Sequence, residues 1–131
     1  MDTTEVYIKM RIAAIPNLGI GVIPHKLHFH SHYWVDEKGD FYVITPGEPH
    51  YCHLERQDQL QAMMKGEKHM HLLAYEFAAY FHGTDDPLYF DVGRDNFTVD
   101  SDNSMEQMWL AFVMREKFNK VWDGNEWINS N

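Results

Sequence analysis

The chain has 131 residues, of which 20 are acidic and 11 are basic, so its net charge is −9 when the histidines are neutral. Hydrophobic residues make up 44% and aromatic residues 15%, which predicts one packed domain over residues 1–131 and excludes a disordered chain. So negative a chain is expected to repel nucleic acid and anionic membranes, and to find its partner on a basic protein surface.

The cysteine content and the hydrophobic runs restrict the cellular setting. Cys52 is the single cysteine, so no intramolecular disulfide can form. The first residues lack the basic and apolar regions of a secretory signal, and no apolar run approaches the roughly 20 residues of a membrane span. We therefore expect a cytoplasmic protein that does not enter a membrane.

The N-terminal third is predicted to be an antiparallel β-meander. Apolar and polar residues alternate over 5–12, which is typical of a half-buried strand. Residues 16–19 have the composition of a turn, and the apolar run 20–23 is either a strand or the lead-in to one. Residues 36–40 predict a hairpin turn, and 41–45 predict the returning strand.

Histidines dominate residues 25–35. Four of the nine histidines lie between positions 25 and 32, and His28, His30 and His32 occupy alternate positions. Successive side chains of a strand point to opposite faces. A single strand over about 26–35 would therefore place these three imidazoles on one face, beside Trp34, and an apolar row on the other face.

The remainder of the chain is predicted to be mainly helical. Residues 50–53 have no clear period. A helix is predicted over about 54–65, with Leu60, Met63 and Met64 as its apolar stripe, and a second over 67–82, ended by Gly83. Two short strands over 88–92 and 97–99 form a predicted hairpin.

The last helix carries a clear start signal. Ser104 and Gln107 fit the N-cap and N3 positions of a capping box, and the helix is predicted to run to about residue 120. It is apolar on two sides, which predicts burial on two sides. Residues 122–127 are predicted to form a tight turn that brings Trp122 and Trp127 together. The elements together predict an α+β fold, with an N-terminal antiparallel β-meander packed against two or three helices and a short β-hairpin between the helices.

A metal site is the first candidate function. Alternate residues of a strand lie about 6.6 Å apart, so two imidazoles can reach one metal ion. Zinc or another divalent transition metal would suit these donors. The candidate ligands are His28, His30, His32, His50, Cys52 and His53. The alternative interpretation is a solvated or partner-facing strand whose histidines stack on Trp34 and Tyr33.

A catalytic role for Cys52 is the second candidate. A thiolate beside an imidazole can act as a nucleophile, and Cys52 lies between His50 and His53. No orienting acid or glycine-rich elbow accompanies it, and a buried free cysteine is common. The sequence contains no complete catalytic constellation, so we favour a protein that is not an enzyme.

An acidic segment is the third candidate site. Between residues 84 and 106, seven acids against Arg94 alone give a net charge of −6, two thirds of the total. We call the seven acids the acidic belt; they are Asp85, Asp86, Asp91, Asp95, Asp100, Asp102 and Glu106. The belt is interpreted either as solvated loop or as an electrostatic docking surface for a basic partner.

These observations predict a small, acidic, soluble interaction protein that binds, and in doing so can inhibit, a basic protein partner. In size and charge the chain is similar to small phage-borne inhibitors. The alternative is a histidine-rich metal-binding protein or a metal-dependent enzyme that uses residues 28–32. Either function is compatible with an oligomer.

Overall fold

The computed structural model describes residues 1–47, 50–64, 73–78 and 103–130. Residues 73–78 are helical and are called α4 here. The other elements, in chain order, are α1 (Glu5–Ala13), α2 (Ile15–Leu18), β1 (His28–His30), β2 (Tyr33–Val35), β3 (Phe41–Ile44), β4 (Tyr51–Leu54), α3 (Gln57–Ala62), α5 (Met105–Phe118), β5 (Lys120–Trp122) and β6 (Trp127–Asn129).

The four strands β1 to β4 form one antiparallel sheet in the order of the chain, and β5 pairs with β6 in a separate antiparallel ribbon. A meander of this kind beside helices confirms the predicted α+β class. The predicted hairpin over 88–99 and both ends of the predicted helix 67–82 lie outside the described residues.

The prediction of a strand over 5–12 is wrong, because these residues form α1. Thr4 caps the helix, and its side chain accepts a hydrogen bond from the Tyr7 N–H. The buried face is made by Tyr7, Met10, Arg11 and Ala14, at helical spacing. A half-buried strand over 5–12 would place Arg11 on the solvent face and Val6 on the core face, whereas Arg11 is fully buried and Val6 is 54% exposed.

The prediction of one strand over 26–35 is also wrong. The chain reverses at Ser31 and His32, so that His30 pairs with Tyr33 and His28 with Val35. Ser31 has a φ of 65°. A positive φ at the first position of a two-residue loop is the pattern of a type II′ turn. The turn lacks the glycine or asparagine that normally marks it, so the alternation of the sequence continues through it unchanged.

The sheet is completed by a strand that the sequence did not indicate. Residues 51–54 form β4, and the predicted helix 54–65 is shorter, covering Gln57–Ala62. The run 20–23 forms no strand; the carbonyl of Ile20 accepts a hydrogen bond from the His53 N–H at the edge of β4. The turn over 36–40 is confirmed, since the Asp36 N–H donates to the Asp40 carbonyl.

Helix α5 forms the centre of the core. Its predicted N-cap is confirmed, because Ser104 accepts a hydrogen bond from the Gln107 N–H. The helix is buried on two sides, as predicted, through Trp109, Leu110, Ala111, Phe112, Val113 and Met114. Burying each large side chain contributes about 1.5–3 kcal/mol. Asn119, in the left-handed conformation, ends the helix.

The C-terminal ribbon closes the fold against α1. The ring centroids of Trp122 and Trp127 lie 5.1 Å apart with their planes tilted by 55°, and the two residues pair across the ribbon, which confirms the predicted tight turn. The indole N–H of Trp127 donates to the Met10 carbonyl, so the end of the chain is tied to α1. Among the described residues, no helix is long and apolar enough to cross a membrane.

Candidate functional site

The predicted histidine row is divided by the hairpin turn. His28 and His30 remain on one face of β1 and are exposed. His32 lies in the turn, where its Nε2 is 2.6 Å from the Thr3 carbonyl oxygen and its Nδ1 is 3.2 Å from Ser31 Oγ. The three imidazoles therefore do not form a single row, because that row required one continuous strand through residues 28–32.

The environment of these histidines agrees in part with the alternative interpretation. His30 stacks on Tyr33 with ring centroids 5.0 Å apart, and His32 meets the same ring edge-on at 5.4 Å. Trp34 instead contacts Phe29 on the opposite face of the hairpin, at 5.1 Å. The hairpin thus presents three exposed histidines, of which His28 and His30 lie on β1 and His32 lies in the turn, and one aromatic pair.

The other predicted ligands lie elsewhere. His50 is exposed before β4, whereas Cys52 and His53 are buried at successive positions of β4 and so face opposite sides of the sheet. Among the described residues, no group of three or more His, Cys, Asp or Glu side chains is arranged to hold a metal. Burial raises the pKa of the Cys52 thiol to about 11, which disfavours the thiolate needed of a nucleophile.

His53 belongs to a buried polar cluster that the sequence analysis missed. Its ring is 2% exposed, with Nδ1 3.3 Å from Glu55 Oε2 and Nε2 3.6 Å from Asp40 Oδ1. No described residue forms a hydrogen bond with Nε2, and the ring centroid of Tyr42 lies 5.3 Å from that of His53. The imidazole is thus held between two carboxylates.

Arg11 and Glu55 form the charged centre of this cluster. Arg11 Nε donates to Glu55 Oε1 at 2.6 Å and Nη2 donates to Oε2 at 3.1 Å, with both side chains excluded from solvent. The Tyr7 hydroxyl donates to the Glu55 carbonyl. Burial alone would raise the pKa of Glu55, but the contact with His53 and the charge of Arg11 outweigh it and hold that pKa below its usual value.

Asp40 joins the cluster to helix α3. Its Oδ1 accepts hydrogen bonds from Gln59 Nε2 at 2.6 Å and from Arg56 Nη1 at 3.3 Å, in addition to facing His53. Asp40, His53 and Glu55 therefore lie in a row between α3 and Arg11 on α1, but the 3.6 Å separation of Asp40 Oδ1 from His53 Nε2 is too long for a hydrogen bond. An imidazole held in this way can orient a hydrogen-bonding ligand.

A cavity of about 300 Å³ adjoins the cluster. Its lining is mainly apolar, with three polar side chains, and comprises Gly21, Val22, His53, Glu55, Gln59, Ala62 and Met63. Gly21 is required here, because its φ is +82° and a Cβ would lie 2.7 Å from His53 Cβ. The sequence carries no local signal for this site, because Arg11 lies on a polar position of the alternating pattern and its partner Glu55 is 44 positions away.

A second concavity lies between α1 and the hairpin turn. Its volume is about 520 Å³, and it is lined by Glu5, Ile8, Lys9, Ile12, Ala13, His32 and Pro46. The walls are mainly apolar, whereas Glu5 and Lys9 are charged. The groove is suited to an apolar side chain or ligand, and it is separate from the buried cluster.

The described end of the acidic belt has an internal role. Glu106 Oε1 accepts the Asp2 N–H at 3.0 Å, and Oε2 accepts the Gln57 N–H at 3.1 Å. Asp2 in turn accepts hydrogen bonds from Thr4, Ser104 and Gln107. These two carboxylates thus bridge the N-terminal ends of α1, α3 and α5, where helix dipoles favour negative charge.

We call Asp2 and Glu106 the carboxylate clamp. Burial would raise the pKa of Asp2, but its hydrogen bonds, led by that from Ser104, lower it below the usual value. The other six acids of the belt, Asp85, Asp86, Asp91, Asp95, Asp100 and Asp102, lie outside the described residues.

Comparisons of the chain with protein-family models, with curated proteins and with solved structures found no match. Functional inference therefore depends on the residues of this chain.

Proposed function

We propose that the protein is a small acidic interaction protein that binds, and thereby can inhibit, a partner with a basic surface. The observation that carries the proposal is the concentration of charge in one segment: residues 84–106 hold −6 of the net charge of −9. A field of this sign attracts a basic surface before contact is made.

The carboxylate clamp supports the proposal by fixing one end of that segment. Without Glu106, whose oxygens are occupied within the chain, six acids and Arg94 leave a net charge of −5. These residues lead directly into Asn103, which donates to the Gln107 side chain at 3.1 Å, and into the capped start of α5. The acidic segment is thus joined directly to the helix at the centre of the core.

The main effect of such a charge is on association. Complementary fields raise the association rate more than they slow dissociation, and they act over about a Debye length, roughly 30 Å at 0.01 M salt and 8 Å at 0.15 M. Binding should therefore weaken with added salt, chiefly through a slower association rate.

The test is a charge reversal with a matched control. The partner is first isolated from the native host by pull-down, and its binding kinetics are measured at low and at physiological salt. The test variant carries Asp85→Lys, Asp86→Lys and Asp95→Lys. The control carries Glu37→Lys, Glu116→Lys and Glu126→Lys at exposed positions elsewhere. Each set changes the net charge by the same +6.

Circular dichroism first establishes that both variants fold. The association rate of the test variant should fall at low salt by at least tenfold more than that of the control, because the charge is removed from the docking surface itself. Equal effects of the two variants would assign the attraction to net charge alone and contradict docking through the belt.

Metal binding remains a second candidate function, because His28 and His30 share one face of an exposed strand. Two imidazoles are an incomplete coordination set for zinc, which takes four ligands. Any such site would need donors from outside this strand.

A further inference from the structure

The outer edge of the sheet is formed by β1. The strand order places β2 on one side of it, and all three of its residues are exposed, including Phe29 at 61%. The strand contains no proline, lysine or acid, which are the residues that usually protect an edge strand from pairing. This edge is therefore able to pair with another strand.

The hairpin register determines which backbone groups are directed outward. His30 and Tyr33 flank the two-residue loop, and such a closing pair exchanges both of its backbone hydrogen bonds. The next pair, Phe29–Trp34, is therefore a non-hydrogen-bonded pair, so the N–H and C=O of Phe29 point away from β2. Phe29 thus offers one donor and one acceptor at the open edge.

The charge distribution indicates which strand can approach. Residues 12–35 contain no acid, and Lys26 is their one permanent charge, although the whole chain carries −9. A second copy of this chain would be repelled by most acidic surfaces, but it can meet the first copy here at little electrostatic cost. An antiparallel pair of identical strands also satisfies the two-fold symmetry of most homodimers.

We propose that two copies pair through their β1 strands and bind one zinc ion between them. If Phe29 lies opposite its own copy on the two-fold axis, it exchanges both outward hydrogen bonds with that copy. His28 of each chain then lies opposite His30 of the other. Opposite residues point to the same face, so four imidazoles meet on one side of a continuous eight-stranded sheet.

The spacing of these four side chains fits a zinc ion. Along each strand the two histidines are about 6.6 Å apart, and across the pair their Cβ atoms lie about 4.5–5.5 Å apart. Imidazole nitrogens bind zinc at about 2.0–2.1 Å in a tetrahedral arrangement, and four neutral nitrogen donors complete the coordination shell. Each chain supplies two ligands, so the site exists only in the dimer.

The test uses untagged full-length protein and zinc chloride as the probe. The mass in solution is measured by sedimentation velocity during a zinc titration, and bound metal is measured by elemental analysis. We expect a dimer that forms at one zinc per two chains. His28→Ala and His30→Ala should each abolish zinc-dependent dimerisation. The matched control is His25→Ala, because His25 is exposed and lies outside β1.

A further variant separates strand pairing from metal binding. Phe29→Pro removes the outward donor while keeping both histidines, so it should abolish the dimer; circular dichroism checks that it folds. A monomer at saturating zinc, a zinc-bound dimer that survives His30→Ala, or one zinc per chain without dimerisation would each overturn the proposal. The result is independent of the acidic belt, since no residue of 85–102 is altered.

Discussion

Replacing Glu55 with glutamine is the most direct test of the buried polar cluster. The substitution keeps the shape of the side chain but removes its charge, and Arg11 remains with no exposed surface. Two of the donors of Arg11 point at Glu55, and a third interaction, from Nη2, goes to the Gly19 carbonyl. The guanidinium therefore keeps the Gly19 carbonyl and one amide oxygen as acceptors but loses its counter-charge.

Removing one partner of a buried ion pair destabilises a protein by about 3–5 kcal/mol, because the other charge is left without compensation. For a chain of this size, that loss corresponds to a fall in Tm of roughly 10–20 °C. Urea unfolding followed by circular dichroism gives the free energy directly. The control is Glu37→Gln, an exposed glutamate in the turn before β3, which should change stability by within about 0.5 kcal/mol.

A double-mutant cycle tells a paired charge from a packing defect. Arg11→Met alone should also be destabilising, since it leaves Glu55 buried without its cation. The combination Arg11→Met with Glu55→Gln should recover much of the loss, because neither charge then remains in the core. If Glu55→Gln costs less than about 1 kcal/mol, or if the two losses simply add, Arg11 and Glu55 do not form the buried pair that the distances indicate.

The remaining predictions concern pH, backbone and thiol. The pKa of Glu55 is lowered in the folded state, so its charge contributes fully to the free energy of unfolding above its unfolded pKa of about 4.3. That contribution is lost as the pH falls through the folded pKa. The free energy of unfolding of Glu55→Gln should therefore decline less steeply with acid than that of the parent protein. Gly21→Ala should cost about 1–3 kcal/mol more than Gly19→Ala, since both have positive φ but only position 21 has an atom within 4 Å of the added Cβ; equal losses in thermal unfolding would contradict this contact. A thiol reagent should label Cys52 at the rate of unfolding, and faster labelling of folded protein would show that the thiol is accessible.

Parts of the fold that depend on neighbouring residues were predictable from the sequence. Helix α5 begins at its capping serine, and the turn over 36–40 forms where glycine and aspartate favour it. In the turn, Asp36 Oδ1 accepts the N–H groups of Lys38 and Asp40, so the side chain itself folds the backbone. Each of these signals lies within five residues of the structure that it determines.

Helix α1 and the hairpin were not predictable in this way. The buried face of α1 includes Arg11, and its burial depends on Glu55, which is 44 positions away in the chain. No local pattern encodes that pairing. The hairpin was missed for a different reason. A two-residue turn at Ser31 and His32 leaves the alternation of side chains in the sequence unchanged, so β1 and β2 have the pattern of one continuous strand.

The candidate site could be predicted only in part. His53 was among the predicted metal ligands, but its contacts with Asp40 and Glu55 were not predicted. The sequence around His53 has no hydrophobic period that would predict its burial. His28 and His30 were placed correctly on one face, because they lie on the same side of the turn. Alternating histidines thus predict side chains on one face of a sheet only where they belong to the same strand.

Net charge alone also overstates the negative charge that is available for the docking that we propose. Among the described residues, several acids have oxygens that accept hydrogen bonds within the chain and are buried or half-buried; these are Asp2, Asp36, Asp40, Glu55 and Glu106. Their charges stabilise helix ends, a turn and a buried cation. Because they account for five of the 20 acids, the docking that we propose depends more heavily on the six aspartates of residues 85–102. An acidic composition can therefore serve two purposes in one chain, and reversing acids at the two kinds of position should separate loss of folding from loss of binding.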